Sequence, residues 1–228
     1  MNTICLFGDS IGKGVVLDAI RGRYLLLKNS FANILNRTGI NIKNYSKFGC
    51  TVTAGKSIVE KNLNNIGSYK YTILEYGGND CDFDWESISK DPQGQHTPKT
   101  ELPVFEKCYE DIISEVIASG SQPVLLSLPP LDPKRYFSWI SRDRNSSNIL
   151  KWLGDIEHIY HWHEMYNLAV TRLAIKMQVP LLDVRSAFLK TLDYSKLLCE
   201  DGIHPNESGH NLISGIIQSY FAKADFQF

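Results

Sequence analysis

Nothing in this 228-residue sequence carries a large excess of charge: 24 Lys and Arg stand against 25 Asp and Glu, a formal balance of −1. A chain so nearly neutral exerts no overall pull on a polyanion or an anionic bilayer, so binding nucleic acid through bulk electrostatics is excluded and a partner must be recognised locally. No apolar run approaches the roughly 20 residues that span a bilayer. The opening residues, Met1 to Ser10, lack a basic region followed by a long apolar stretch and read as a β-strand. Cysteine is scarce and unpatterned: Cys5, Cys50, Cys81, Cys108 and Cys199 are an odd number with no Cys-x-x-Cys pair, which argues against a disulfide framework or a zinc knuckle. Reduced thiols in a cytoplasm are the expectation. There is no internal repeat, low-complexity tract or linker, so a single domain over residues 1–228 is expected. Its 43% hydrophobic residues suffice for one sizeable core.

Apolar runs alternate with amphipathic stretches. Short runs at Thr3 to Phe7, Ile40 to Tyr45, Tyr71 to Tyr76, Pro123 to Leu128 and Pro180 to Asp183 predict five strands. Between them, Phe31, Ile34 and Leu35 predict a helix behind Ser30, and Ile58, Val59 and Leu63 predict another. A single apolar stripe from Pro103 to Ser119 predicts a third, a long helix runs around His158 to Met177, and Leu212 to Phe221 close the chain with a last one. The alternation predicts an α/β fold with a parallel sheet and right-handed crossovers. Two stretches interrupt it, Cys81 to Glu101 and Leu131 to Asp155, which read as long loops carrying Phe83, Trp85, Tyr136, Phe137, Trp139 and Trp152. Loops of that length in a compact domain are commonly functional.

Ligands of an open parallel sheet bind outside the carboxyl ends of the strands, and the residues there are unusually polar. The first strand runs into Gly8-Asp9-Ser10, the second leads to Gly49, the third into Gly77-Gly78-Asn79-Asp80, and the last loop reads Asp201-Gly202-Ile203-His204-Pro205. Ser10 is the candidate nucleophile, because a serine hydroxyl needs exposure and a base. His204 is the candidate base, and Asp201, three residues before it, is placed to fix its tautomer. The backbone N–H groups of Ser10 and Gly49 with the Asn79 amide are the candidate oxyanion hole. Asp9 and Asp80 read as loop-ordering carboxylates.

These four blocks resemble, in order and spacing from residue 3 to about 221, those of the SGNH hydrolases, or GDSL-type esterases and lipases. The resemblance implies a three-layer flavodoxin-like sandwich around a five-stranded parallel sheet. It also implies a Ser-His-Asp esterase needing no cofactor and no metal, with Ser10, Gly49, Asn79 and His204 as the four residues that name the family. The expected substrate is a short acyl ester of a polar alcohol or sugar. A ligand-binding protein of the same fold that has lost hydrolysis and an acyltransferase using the same serine are the alternatives. No nucleic-acid partner is expected, and the sequence is silent on oligomeric state.

Other readings are weaker. Gly8 to Lys13 has three residues between its glycines, and Gly14 follows the lysine, so it is not a phosphate loop. His158 and His161 share a helix face, but His163 lies about 160° from His161 at 100° per residue, so the three read as structural or solvent-facing. His210 reads as a surface helix residue. Cys50 and Cys81 flank the proposed site, but neither has an assigned base. Arg135, Arg142 and Arg144 would suit an anionic substrate or a solvated face.

Overall fold

The structure is a computed structural model describing residues 3–224; residues 1–2 and 225–228 of the expected single unit lie outside the described residues. In chain order the elements are β1 (Thr3–Gly8), the single turn α1 (Ser10–Lys13), β2 (Val15–Asp18), β3 (Arg23–Leu26), α2 (Phe31–Arg37), β4 (Asn41–Asn44), α3 (Val52–Glu60), α4 (Leu63–Ile66) and β5 (Tyr71–Glu75). They continue with α5 (Trp85–Lys90), α6 (Leu102–Ala118), β6 (Gln122–Leu126), α7 (Pro133–Ile140), α8 (Ser146–Leu153), α9 (Glu157–Met177), β7 (Leu181–Leu182), α10 (Val184–Leu189), a 3₁₀ turn (Tyr194–Leu197) and α11 (Glu207–Ala224).

Five strands form one all-parallel sheet in the order β4-β1-β5-β6-β7, the flavodoxin-like arrangement whose switch point lies beside β1. Side chains alternate across the pleat. Cys5 and Phe7 join Leu74 and Leu125 under α3, α6 and α9, whereas Ile4 and Leu6 join Ile73, Val124 and Leu126 under α2, α10 and α11. Both faces are thus covered, which is why these strands read as continuous apolar runs rather than alternating ones. Among the described residues no helix is long and apolar enough to cross a membrane.

The two expected loops are corrected. Residues 81–101 contain α5, and residues 131–155 contain α7 and α8. Each starts on a side-chain cap: Asp84 accepts from the N–H groups of Glu86 and Ser87, Asp132 from Lys134 and Arg135, and Asn145 from Asn148. Helices of six to eight residues are too short to show a clear period, but Asp-Pro at 132–133 and Asn-Ser-Ser at 145–147 were legible starts. Their aromatic and aliphatic side chains pack with Ile159 and Trp162 into a third apolar cluster outside the sheet sandwich. A second addition lies between β1 and α2. Val15–Asp18 and Arg23–Leu26 pair antiparallel around Gly22, which adopts φ +62°, and this hairpin projects over the carboxyl end of β1.

His210 is likewise not on the surface. It is fully buried on α11 against Phe31, whose backbone N–H donates to Nδ1 at 3.4 Å, and its Nε2 has no protein partner among the described residues. Burial, with the nearby His204, lowers its pKa to about 4. The unfolded chain therefore takes up a proton below pH 6.5 that the native state refuses until about 4, so this contribution is complete above pH 6.5 and declines as pH falls. Urea unfolding is expected to show about 2 kcal/mol of stability lost between pH 7 and pH 5 through this group. His210→Gln, less stable at pH 7, is expected to show a correspondingly flatter profile; an unchanged profile would mean that His210 does not carry the effect.

Candidate active site

The turn after β1 is built on glycines and carboxylates. A Cβ on Gly8 would lie 2.5 Å from Oε2 and 2.8 Å from the backbone oxygen of Glu75, so only glycine lets β5 approach there. Glu75, buried at the end of β5, accepts the backbone N–H groups of Asp9 (3.1 Å) and Gly12 (3.0 Å). Asp9 caps α1 by accepting the Ile11 N–H at 2.8 Å, and Gly14 closes the turn in the left-handed region at φ +81°. Ser10 is therefore held by its backbone, and its side chain is left for other work. Burial, then the neighbouring Asp9 carboxyl, pushes Glu75 well above the usual carboxylate range. Sequence reasoning missed it, because a lone glutamate ending an apolar strand carries no motif.

The last loop brings the partner side chains. His204 Nε2 lies 2.9 Å from Ser10 Oγ, and His204 Nδ1 lies 2.7 Å from Asp201 Oδ2. The other Asp201 oxygen accepts the backbone N–H groups of Ile203 and His204, each at 3.2 Å. Burial alone would raise Asp201, but the hydrogen bonds and charge of His204 and these backbone donors outweigh it and hold the carboxyl below its ordinary value. Gly202, at φ +77°, is needed between them: a Cβ there would meet Asp132 O at 2.7 Å and Tyr136 N at 2.8 Å. The His204 carbonyl accepts the Cys199 N–H at 2.8 Å, and Asn206 Nδ2 donates to the carbonyls of Lys196 and Leu198, which anchors the loop ahead of α11.

Gly49 and Asn79 line the same cavity as Ser10. Gly49 is left-handed at φ +69° and a Cβ would point into open space, so its conformation as well as access favours glycine. Asn79 Nδ2 donates one hydrogen to Asp9 Oδ2 at 2.9 Å, which fixes the amide plane and leaves its second hydrogen unspent. Asp80 accepts the Val52 N–H with both oxygens, at 2.9 and 3.1 Å, and so ties the two loops together. Asp9 and Asp80 thus order loops, as expected.

Tyr24 of the hairpin and Phe48 lie over the His204 ring, with centroids 5.0 and 6.3 Å away. Neither was legible as a site residue. The cavity encloses about 470 Å³. Its floor is Ser10, Gly49, Asn79 and His204, and its far wall comes from the inserted helices and α9. Charges at its rim are paired: Lys99 Nζ meets Asp82 at 2.8 Å, and Arg144 Nε meets Glu86 at 3.1 Å. Arg135 Nη1 donates to Ser195 O, and Arg142 lies over the Trp139 ring, so the three arginines form no free anion site. His158 and His161 have ring centroids 5.4 Å apart, while His163 turns inward and is 6% exposed. Cys50 and Cys81 are buried; burial and nearby carboxylates push Cys50 up to about 11 and Cys81 also well up, so both are thiols at neutral pH.

Comparison with known proteins defines the class, a carboxylic ester hydrolase of the serine type. The chain belongs to the GDSL-like Lipase/Acylhydrolase family, whose model matches residues 6–212. A search of curated proteins returned no match. Solved structures share the fold over nearly the whole chain. The lipase/acylhydrolase from Enterococcus faecalis is 18% identical with a TM-score of 0.64, covering 98% of this chain and 97% of its own. A psychrotrophic esterase from Pseudoalteromonas, inhibited by monoethylphosphonate, is 15% identical with a TM-score of 0.64, covering 98% of each chain. A catalytic mutant of an acetylxylan esterase from Geobacillus stearothermophilus is 17% identical with a TM-score of 0.63, covering 96% of this chain and 93% of that one.

Proposed function

We propose that Ser10 attacks the carbonyl carbon of a short acyl ester of a polar alcohol or sugar, with His204 as general base and Asp201 holding the imidazole in its Nδ1–H tautomer. The Ser10 and Gly49 N–H groups and the unspent Asn79 amide hydrogen stabilise the oxyanion. His204 then protonates the departing alcohol, and water attacks the acyl-serine by the same route in reverse to release the acid. The observation that carries this reading is the unbroken relay at 2.9 and 2.7 Å on the floor of an open cavity. Support for a polar alcohol comes from the wall, where aromatic faces alternate with paired charges rather than forming a continuous aliphatic channel.

The test is a p-nitrophenyl ester series of rising acyl length, run with fluorophosphonate labelling. Turnover is expected to be highest for acetate and to fall with chain length, and one phosphonyl group is expected on the peptide containing Ser10. A label on another residue would overturn the assignment of the nucleophile, and a rate rising with acyl length would overturn the short-acyl preference.

A further inference from the structure

The catalytic reading makes no use of His163, yet this histidine lines the cavity from α9 beside Ile159 and Trp162. It belongs to a buried polar group. Arg185 of α10 is 4% exposed, and its guanidinium reaches His163 Nδ1 at 3.3 Å, the Leu128 carbonyl at 3.2 Å and Glu164 Oε2 at 2.6 Å. The same guanidinium lies over the Tyr160 ring, 5.0 Å from its centroid. An arginine only donates. Nδ1 of His163 must therefore accept, and in the neutral ring the proton must sit on Nε2. Burial and the adjacent guanidinium both oppose a second proton, so the ring stays neutral. Nε2 has no protein hydrogen-bond partner among the described residues, and it is not among the fully enclosed side-chain atoms that lack one. The exposed remnant of the ring thus offers an N–H to the cavity.

We infer that His163 is a substrate-binding residue, locked by Arg185 as an Nε2–H donor to an acceptor oxygen on the alcohol part of the ester. This rests on the proposed reading of the cavity as the ester site. The recognised group has an apolar face, set against Ile159 and Trp162, and an oxygen reached by the imidazole. A ring ether or hydroxyl of a pyranose has that chemistry; a plain alkyl or cycloalkyl alcohol lacks it. A neutral donor suits a neutral oxygen acceptor, whereas the charge of Arg185 itself is spent on Glu164 and the Leu128 carbonyl.

Two esters of equal ring size separate the possibilities, cyclohexyl acetate and methyl 4-O-acetyl-xylopyranoside. His163→Leu is expected to raise KM for the pyranoside roughly three- to tenfold, the value of one hydrogen bond, with kcat little changed. For cyclohexyl acetate the rise in KM is expected to be distinctly smaller, and a thermal melt shows that the variant folds. His163→Gln, which keeps an amide N–H, is expected to restore most of the loss. Equal losses on both esters, or none on the pyranoside, would overturn the proposal while leaving the Ser10 relay standing. If the wild type hydrolyses neither ester, the catalytic reading is what fails, and His163 is tested alone by ¹⁵N imidazole spectra of Ser10→Ala titrated with methyl xylopyranoside. Those spectra are expected to show a neutral Nε2–H ring at pH 7 whose Nε2 resonance moves on binding. A charged ring, an Nδ1–H ring or an unmoved resonance would overturn the proposal.

Discussion

Ser10→Ala is expected to lower kcat/KM for p-nitrophenyl acetate by on the order of a millionfold, the scale seen when a serine nucleophile that works as a unit with its histidine is removed, with the melting temperature within a few degrees of wild type. Stability should survive because Ser10 Oγ hydrogen-bonds only His204 among the described residues, while the turn that carries it is fixed by Asp9, Glu75 and the glycines around them. Removing the hydroxyl takes the protein partner from His204 Nε2, but that nitrogen lines an open cavity rather than a sealed void, so a water molecule can replace the lost hydrogen bond. No neighbouring nucleophile stands ready to compensate. Cys50 and Cys81 are held protonated, and their Sγ atoms turn toward the carbonyls of Thr51 and Gly78. Substantial residual turnover in a preparation free of other esterases would mean that the serine is not the nucleophile; lost folding would mean that the hydroxyl is structural. The measurement is a progress curve beside a thermal melt of the same sample.

How much of this was legible follows from where the information lies along the chain. Strands buried on both faces announce themselves as apolar runs, and all five appear at the expected places, although the last is only Leu181–Leu182. The polar blocks behind those strands were legible because a parallel sheet collects its strand ends on one edge, so Ser10, Gly49, Asn79, Asp201 and His204 meet despite separations of up to 194 residues. What escaped belongs to contacts between elements. The hairpin over His204 is four residues a side, too short for its alternation to stand out, and α5, α7 and α8 bury their aromatics against one another, so their stretches read as irregular. Glu75, His163 and His210 have ordinary sequence neighbours. Their properties arise from partners far away in the chain: Asp9 and Gly12 for the first, Arg185 for the second and Phe31 for the third.

The second large effect is expected from Asp201→Asn, where geometry predicts a loss of roughly three to four orders of magnitude in kcat with the fold retained, as for a triad histidine left in the wrong tautomer. Two atoms of the carboxylate do different jobs. Oδ1 accepts the N–H groups of Ile203 and His204, and an asparagine carbonyl in that place accepts the same two bonds, so the loop keeps its shape. Oδ2 faces His204 Nδ1 at 2.7 Å, and there the amide NH₂ would now donate. Nδ1 must then accept, the ring proton moves to Nε2, and the nitrogen 2.9 Å from Ser10 Oγ no longer has a lone pair with which to take the serine proton. The charge that would stabilise the imidazolium in the transition state is lost as well. The wild-type carboxylate, held below its ordinary pKa, stabilises the native state above the unfolded value and loses that contribution only as pH falls through the lowered one, so at neutral pH both chains are compared with this group fully settled. A matched pair of measurements checks this: kcat for p-nitrophenyl acetate at pH 7.5, and the ¹⁵N tautomer of His204. A millionfold gap between wild type and Ser10→Ala, with Asp201→Asn between them and its His204 proton on Nε2, is the ordering this relay requires. Near-wild-type kcat in Asp201→Asn would reduce the carboxylate to a loop anchor and leave Ser10 and His204 to act as a dyad.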